Sequence, residues 1–371
     1  MRIVRIRLFQ YRNLRDQDIA PGPGITLFSG LNGQGKTNIL EAIYFLAFGR
    51  SFHTSAPKEC VRHGETLCRV QGTIERGSLS RDLAVAVSGA EKKLFLMGKP
   101  APLDEFVGNL HLFAFTHEHL GVVRGGPADR RAFLDRAMVS LYPGHLAGLA
   151  AYGRALKQRN NILSGIRDGK TTYESQLIDA WDEALARSGA RILSNRINYA
   201  EKMKRELPQG LFGSEEFKIH YLSSLETDNA DISSLEERFR EKLRNVREKD
   251  RYSGHTSVGP HRDDLKLYVN GKSLVDFGSS GQQRSCLLAL YFSQMEIHFR
   301  EHGFYPVFLV DDAEAELDEE RLRTFLRYLS NRTQTLLTST RNFLIDSVPG
   351  DVLHLEVKDG EVLTRIFHGV S

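Results

Sequence analysis

The 371-residue chain is short of most features that would mark a secreted, metal-built or membrane protein. Cysteine is scarce. Cys60, Cys68 and Cys286 are odd in number and widely spaced, which excludes a disulfide framework and a thiolate zinc site and fits a reducing compartment. No apolar run reaches the roughly 18 residues of a membrane span. The opening Met1-Arg2-Ile3-Val4-Arg5-Ile6-Arg7 lacks the apolar core of a signal peptide, so a cytoplasmic location with no membrane partner is expected. Neither sign of charge dominates. The formal net charge of +3 is too small by itself to announce a nucleic-acid binder. There is no internal repeat and no low-complexity tract. Hydrophobic residues make up 41%, enough for a sizeable core, so disorder is excluded.

What is present is concentrated in one stretch. Gly30-Leu31-Asn32-Gly33-Gln34-Gly35-Lys36-Thr37 fits the phosphate-binding pattern G-x-x-x-x-G-K-[ST]. Ile25 to Phe28 before it reads as a buried strand. Asn38 to Phe48 after it reads as a helix with apolar Ile39, Leu40, Ile43, Phe45 and Leu46. In that setting the glycines let the backbone curl so that its N–H groups face a polyphosphate, and the helix N-terminus adds partial positive charge. Lys36 is expected to reach the β- and γ-phosphates, and Thr37 to ligate Mg²⁺. The candidate contacts to ATP are therefore Gly30, Asn32, Gly33, Gln34, Gly35, Lys36, Thr37 and Asn38.

A second half of such a site lies far downstream. Val307-Phe308-Leu309-Val310 is an apolar run ending in Asp311-Asp312. This strand is expected beside the P-loop strand, with Asp311 holding Mg²⁺ and Asp312 polarising the attacking water. Alone, the acids would be an ordinary strand-terminal turn. Gly278-Ser279-Ser280-Gly281-Gln282-Gln283-Arg284 opens another helix and so offers N–H groups to an anion. One P-loop already saturates its end of a nucleotide, which makes this a second phosphate-facing surface, used across a dimer. Glu316-Leu317-Asp318 follows, with Asp318 placed as a helix N-cap.

Between these motifs the pattern changes character. Arg2 to Phe9, Leu67 to Ile74, Asp82 to Val87, Lys93 to Met97 and Leu110 to Phe115 read as strands, and Gly49 to Gly64 as a loop. From Gly125-Gly126-Pro127 the spacing is helical: Pro127 to Tyr142, Leu146 to Ile166, Tyr173 to Leu207 and Ser234 to Asp250, the last a run of mixed charge expected to be a solvated face. A hairpin is expected around Asn270-Gly271, joining Leu265–Val269 to Lys272–Val275. Gln282 to Phe299 and Glu319 to Leu329 read as helices, and Tyr305 to Val310 and Thr335 to Leu337 as strands. The expectation is an α/β ATPase lobe made of residues 1–124 and 255–371, with a mainly helical lobe, 125–254, inserted.

The P-loop, the S-x-G-Q signature and the strand-Asp-Asp-x₄-Leu-Asp run resemble the ABC-type ATPase heads of the SMC class. More closely, Tyr11-Arg12-Asn13-Leu14, Gly30 to Thr37, Gly125-Gly126-Pro127 with Arg130-Arg131-x-Phe133-Leu134-Asp135, Val258-Gly259-Pro260-His261-Arg262-Asp263-Asp264 and Ser279 to Arg284 are similar to the RecF family of bacterial DNA-gap repair proteins. The resemblance runs from end to end of the chain. It implies that Arg12 and Asn13 lie beside the nucleotide, and that Ser279, Gly281 and Gln282 meet the γ-phosphate held by a partner copy. Asp318 would sit in a loop coupling the two sites. It further implies an ATP-dependent homodimer on gapped or junction DNA, slow DNA-stimulated ATP hydrolysis, and RecR as partner in RecA loading. The departures are Ser280 where the family often has Gln, the acidic filling Ala313-Glu314-Ala315, and Thr338 or Thr340 where transporters carry a switch His. His117-Glu118-His119 is read as a surface turn rather than a metal site, because it lacks the i, i+4 helical pair.

Residues 124–159 hold Arg124, Arg130, Arg131, Arg136, Arg154, Lys157 and Arg159 against only Asp129 and Asp135. That local cationic excess can neutralise phosphates. Aromatics there are few, so sequence-independent backbone recognition of DNA is expected, with a solvated helix face as the plain alternative. No sustained a/d heptads occur between Thr37 and Ser279, so the chain is expected to be a head without coiled-coil arms. The competing readings are the energising subunit of a transporter and a DNA scaffold with a vestigial ATPase.

Overall fold

The computed structural model describes residues 1–142, 144–172, 175–211, 213–340 and 352–368. The chain forms two compact units. One is made of Met1–His119 with His298–Ser371, the other of Leu120–Ile297. The second boundary thus falls well beyond position 255: the hairpin and most of the signature helix group with the inserted unit.

The first unit holds two six-stranded sheets. One is antiparallel, in the order Gln17–Ile19, Arg2–Phe9, Leu67–Arg76, Leu79–Ser88, Glu91–Leu96, Lys99–Pro100. Leu67–Arg76 alternates exposed and buried residues along its first half, as one packed face requires. The other sheet runs Glu361–His368, Val352–Lys358, Ile25–Ser29, Thr335–Ser339, Val307–Val310, Leu112–Phe115. All of its pairings are parallel except at the Glu361–His368 edge. The helix Lys36–Phe48 packs between the sheets. Ile39, Ile43 and Leu46 share one core with Ile3, Ile6, Val70 and Val85 from the antiparallel sheet and with Phe28, Leu336 and Leu355 from the parallel one. A helix covered on both sides is apolar all round, which is why its sequence shows no clean stripe.

The sheet order corrects one expectation. The Val307–Val310 strand does not lie beside the P-loop strand; Thr335–Ser339 runs between them, pairing Leu337 with Val310 on one side and Ser339 with Ser29 on the other. The hairpin Val352–His368 is not legible as strands in the sequence, yet it braces the P-loop. Asp359 N–H donates to the Gln34 side chain, and Gly360 N–H to the Gln34 carbonyl at 3.0 Å. Gly30 has φ +151, and a Cβ there would be driven into the Val357 carbonyl oxygen, so only glycine lets the P-loop pass this strand.

The second unit is not all helical. Its helices Pro127–Val139, His145–Arg167, Ser175–Glu206, Ile232–Asn245 and Arg247–Ser253 accompany a three-stranded antiparallel sheet of Lys272–Ser273, Asp264–Val269 and Phe217–Leu222. Phe217–Leu222 alternates buried and exposed throughout. The expected single helix over Ser234–Asp250 is two, broken at Val246. Glu237, Arg238, Glu241, Arg244, Glu248 and Lys249 are exposed, as a solvated face requires, but the other charges are drawn inward. Arg240 pairs with Glu183 at 2.7 Å and Arg247 with Asp182 at 2.7 Å, fastening both pieces to Ser175–Glu206. The signature helix runs Ser280–His302. Among the described residues, no helix is long and apolar enough to cross a membrane.

Candidate functional site

The P-loop turns through left-handed glycines at Gly33 and Gly35. Gly35 then caps the helix that begins at Lys36, so the first N–H groups of that helix have no intrahelical acceptor. The loop encloses a pocket of about 170 Å³, lined by Asn32, Gly33, Gly35, Lys36, Thr37, Asn38, Asp312, Thr338 and Thr340. Lys36 Nζ donates to the carbonyls of Gly30 (2.7 Å) and Leu31 (2.9 Å). Burial lowers its pKa, and Asp312, Asp311 and Glu314 oppose that shift.

The acidic side of the pocket is ordered by hydroxyls. Thr37 Oγ1 donates to Asp311 Oδ1 at 2.9 Å, and Thr338 Oγ1 donates to the same oxygen at 2.7 Å. Asp312 N–H in turn donates to Thr338 Oγ1 at 2.9 Å. The intervening strand is thus what aims Asp311: it supplies Thr338 at the level of Asp311. The Thr37 hydroxyl and the Asp311 carboxylate are hard oxygen donors of the kind Mg²⁺ takes. Asp312 is exposed and sits at φ +47, an uncommon conformation that turns its carboxylate away from the strand line. In sequence Glu314 stands out only as an unusual filling. In the fold its carboxylate accepts both Ser339 hydroxyl (2.7 Å) and Thr340 N–H (2.7 Å), and so pins the loop that leaves Thr335–Ser339.

The other candidates fall into place unevenly. Asn13 Nδ2 donates to the Gly33 carbonyl at 3.0 Å and Asn38 Nδ2 to Asn13 Oδ1 at 2.7 Å, so Asn13 props the loop from outside. Arg12 does not line the pocket. It forks onto the fully buried Glu41 carboxylate, which raises its pKa. Ser279 and Gln282 form a reciprocal cap: Gln282 Oε1 accepts from Ser279 N–H at 2.9 Å, and Ser279 Oγ from Gln282 N–H at 3.2 Å. Gly281 lies one residue inside that cap. Asp318 is an N-cap, accepting from Arg321 N–H at 2.9 Å. In the 3₁₀ turn His117–Leu120, His117 and Glu118 are exposed as a surface turn requires, but His119 is buried and hydrogen-bonds Thr116 just before the turn.

The basic stretch divides. Arg159 is fully buried, donating to Asp182 (2.6 Å), Asp250 (2.7 Å) and Thr256 (2.9 Å). Arg130 is buried and bidentate on Asp264, and Arg131 donates to the Asp263 carbonyl at 2.7 Å. Arg130 and Arg159 therefore leave the DNA candidates, because their guanidiniums already neutralise internal acids away from solvent, and the Arg131 guanidinium is committed to the same framework. Arg124, Arg154 and Lys157 are exposed and Arg136 half-exposed. Arg154 and Lys157 border a groove of about 1150 Å³, whose other wall brings Arg187 and Arg191 from Ser175–Glu206. That pairing of helices cannot be read from spacing, so the sequence alone does not single out these two arginines.

The Val258-to-Asp264 run is part of the same framework. Pro260 carbonyl accepts Arg196 (2.7 Å), Tyr221 OH donates to Asp263 (2.5 Å), and Tyr152 OH faces His261 Nδ1 at 2.7 Å. Gly259 has φ +122, and a Cβ would strike Phe239 and Tyr152. His261 Nε2 contacts the Thr256 carbonyl at 3.1 Å, so it carries the proton and Nδ1 accepts from Tyr152. Burial depresses the His261 pKa to about 4. The unfolded chain takes up this proton near pH 6.5 and the folded chain does not, so stability falls as pH drops from about 6.5 towards 4. We expect the His261 ring-proton NMR shifts to be flat from pH 8 to 5; a midpoint near 6.5 would contradict the buried, neutral ring.

The family model described as RecF/RecN/SMC N terminal domain matches residues 2–359. "DNA replication and repair protein RecF" of Halothermothrix orenii is 36% identical over 359 residues, 94% of each chain. The protein of the same description from Myxococcus xanthus is 36% identical over 376 residues, 98% of each. Two solved structures, of "the recombination mediator protein RecF-ATPrS in RecFOR pathway" and of its "RecF-ATP" counterpart, superpose with TM-scores of 0.89 and 0.87 at 30% identity over 98% of this chain.

Proposed function

The chain belongs to the RecF family of DNA replication and repair proteins, with an ABC-type ATPase head of the SMC class, and from that premise we propose that it is an ATP-dependent DNA clamp. Two copies would close on ATP around gapped or single-/double-strand junction DNA. Slow, DNA-stimulated hydrolysis would reopen them, and RecR would link the clamp to RecA loading, all in the cytoplasm. The observation that carries this reading is the convergence of Lys36, Thr37, Asp312 and Thr338 on one pocket, with Asp311 hydrogen-bonded to its Thr37 and Thr338 hydroxyls. The solved RecF relatives with ATP or ATPrS named in their descriptions support the same ligand.

Each residue then has a task. The P-loop N–H groups cradle the phosphates, and Lys36 exchanges the Gly30 and Leu31 carbonyls for phosphate oxygens. Thr37 and Asp311 would hold Mg²⁺, which when bound neutralises phosphate charge. Asp312, exposed at the pocket, orients and deprotonates the attacking water; a side chain one methylene shorter than Glu reaches less far, in keeping with slow turnover. Leu31 and Phe277 stand 75% and 72% exposed beside the P-loop and the signature, large apolar residues that a second copy would cover. Arg124, Arg136, Arg154 and Lys157, joined by Arg187 and Arg191, would hold DNA phosphates.

The test is fluorescence anisotropy of a labelled gapped duplex with Asp312→Asn protein, in ATP and then ADP. Tight binding in ATP alone supports the clamp. Equal binding in both nucleotides, or none at low salt, rejects it. Arg154→Ala with Lys157→Ala should flatten the dependence of log K on log salt by up to about 2, near 0.9 for each phosphate no longer neutralised.

A further inference from the structure

Three histidines outside the nucleotide site meet at one point. His298 and His302 stand one turn apart on the last stretch of the signature helix, on the same helix face. His111 immediately precedes the strand Leu112–Phe115. One ligand nitrogen of each lies within 4.8 Å of the others. The ring centroids form a nearly equilateral triangle of 4.8, 4.9 and 4.7 Å. His111 and His298 are buried and His302 is half-buried, which leaves a way in from solvent.

The hydrogen bonding says which atoms face inward. His298 Nδ1 lies 2.9 Å from the Phe304 carbonyl, which can only accept. Nδ1 of His298 therefore carries its proton, and the Nε2 lone pair points at His111 Nδ1, 2.6 Å away. A backbone carbonyl that fixes the outer nitrogen and frees the inner one is the usual support of a metal-binding imidazole.

We propose that His111, His298 and His302 form a three-histidine site for a divalent first-row transition metal, Zn²⁺ by preference, with a fourth position open to water or an anion. At a metal–nitrogen distance of 2.0–2.1 Å, tetrahedral ligand nitrogens stand about 3.4 Å apart. The His111–His298 pair must open slightly and His302 close in, which side-chain torsions alone can supply. On metal binding the proton between the two rings moves from His111 Nδ1 to His111 Nε2, so His111 would bind through Nδ1 as a neutral tautomer. The Met1 amino group acts on His111 and His298, and Arg76 on His111. Their positive charge favours an anionic fourth ligand. A bound ion would clamp the end of the signature helix to the strand Leu112–Phe115. That strand is in register with Val307–Val310, and Phe115 carbonyl accepts from Asp311 N–H at 2.9 Å.

The experiment uses the full-length, untagged chain stripped with a chelator. Co²⁺ is titrated first and followed by its visible d–d bands; Zn²⁺ is then added in competition, with Mg²⁺–ATP present throughout to fill the nucleotide site. One equivalent of Co²⁺ with four-coordinate spectral intensity, displaced by Zn²⁺ and not by Mg²⁺, is expected. His302→Ala, at a half-exposed position that tolerates truncation, should weaken uptake by at least about 100-fold. His302→Cys should restore binding with an added thiolate charge-transfer band. Absence of a stoichiometric Co²⁺ spectrum overturns the proposal, and so does uptake that His302→Ala leaves unchanged. A thiolate band in the parent chain would place the metal on a cysteine and overturn it equally.

Discussion

Lys36→Met should lose ATP turnover, falling at least about 10²–10³-fold, while the protein stays folded. The size follows from what the ammonium does. It is one of few positive groups that can meet charge developing on the transferred phosphoryl, in a pocket partly closed to water, and removing a single such donor typically costs this much in kcat. The fold should survive because Lys36 is not part of a buried ion pair. Its Nζ rests on two P-loop carbonyls, and burial already works against its charge. Methionine keeps the length of the side chain and removes the charge. Phosphate release and thermal unfolding of the same preparation decide the matter. Turnover that persists in Lys36→Met, or a collapse of the melting temperature alongside it, would refute the role given to this residue.

Arg159→Ala should lower the stability of the second unit itself, because its guanidinium serves internal acids. Arg159 is fully buried, and its removal leaves Asp250, also fully buried, without its cation and Asp182, nearly so, with Arg247 alone. Deleting one partner of such a network costs about 3–5 kcal/mol. For a unit of this size that corresponds to a fall in Tm on the order of 10 °C. Arg154→Ala is the control. Five residues away on the same helix but exposed, it should leave Tm unchanged within about 1 °C and reduce only salt-dependent DNA binding. Equal melting of the two variants would show that Arg159 is no keystone of this unit.

The contrast shows what a sequence can carry. The P-loop is legible because strand, loop and helix are adjacent in the chain, and glycine spacing alone states the turn. The placement of Asp311 is only half legible. Its residue type and its apolar strand are local, but Thr338, which orients it, comes from a strand inserted by the sheet order. The basic stretch misleads for the same reason. Arg154 and Arg159 look alike in sequence, and only the acids Asp182 and Asp250, 23 and 91 residues away from Arg159, distinguish them. The charged run ending at Asp250 is solvated over much of its length, and the inward pairing of Arg240 and Arg247 is hidden because their partners sit on another helix. Phe217–Leu222 alternates clearly but lies in a stretch dominated by helical spacing. The histidine cluster is half legible: His298 and His302 are an i, i+4 pair on one helix, but only the fold brings His111 to them.

The cap at the start of the signature helix leaves that helix end set in advance. Ser279 Oγ and Gln282 Oε1 both act as acceptors there, each taking the other's backbone N–H. The Ser279 hydroxyl proton and the Gln282 Nε2 hydrogens take no part in that closed ring. An anion arriving at this end would therefore meet donors on side chains already held in place, and the ring would stay shut as it came and went, like a cleat bolted down before the rope is thrown.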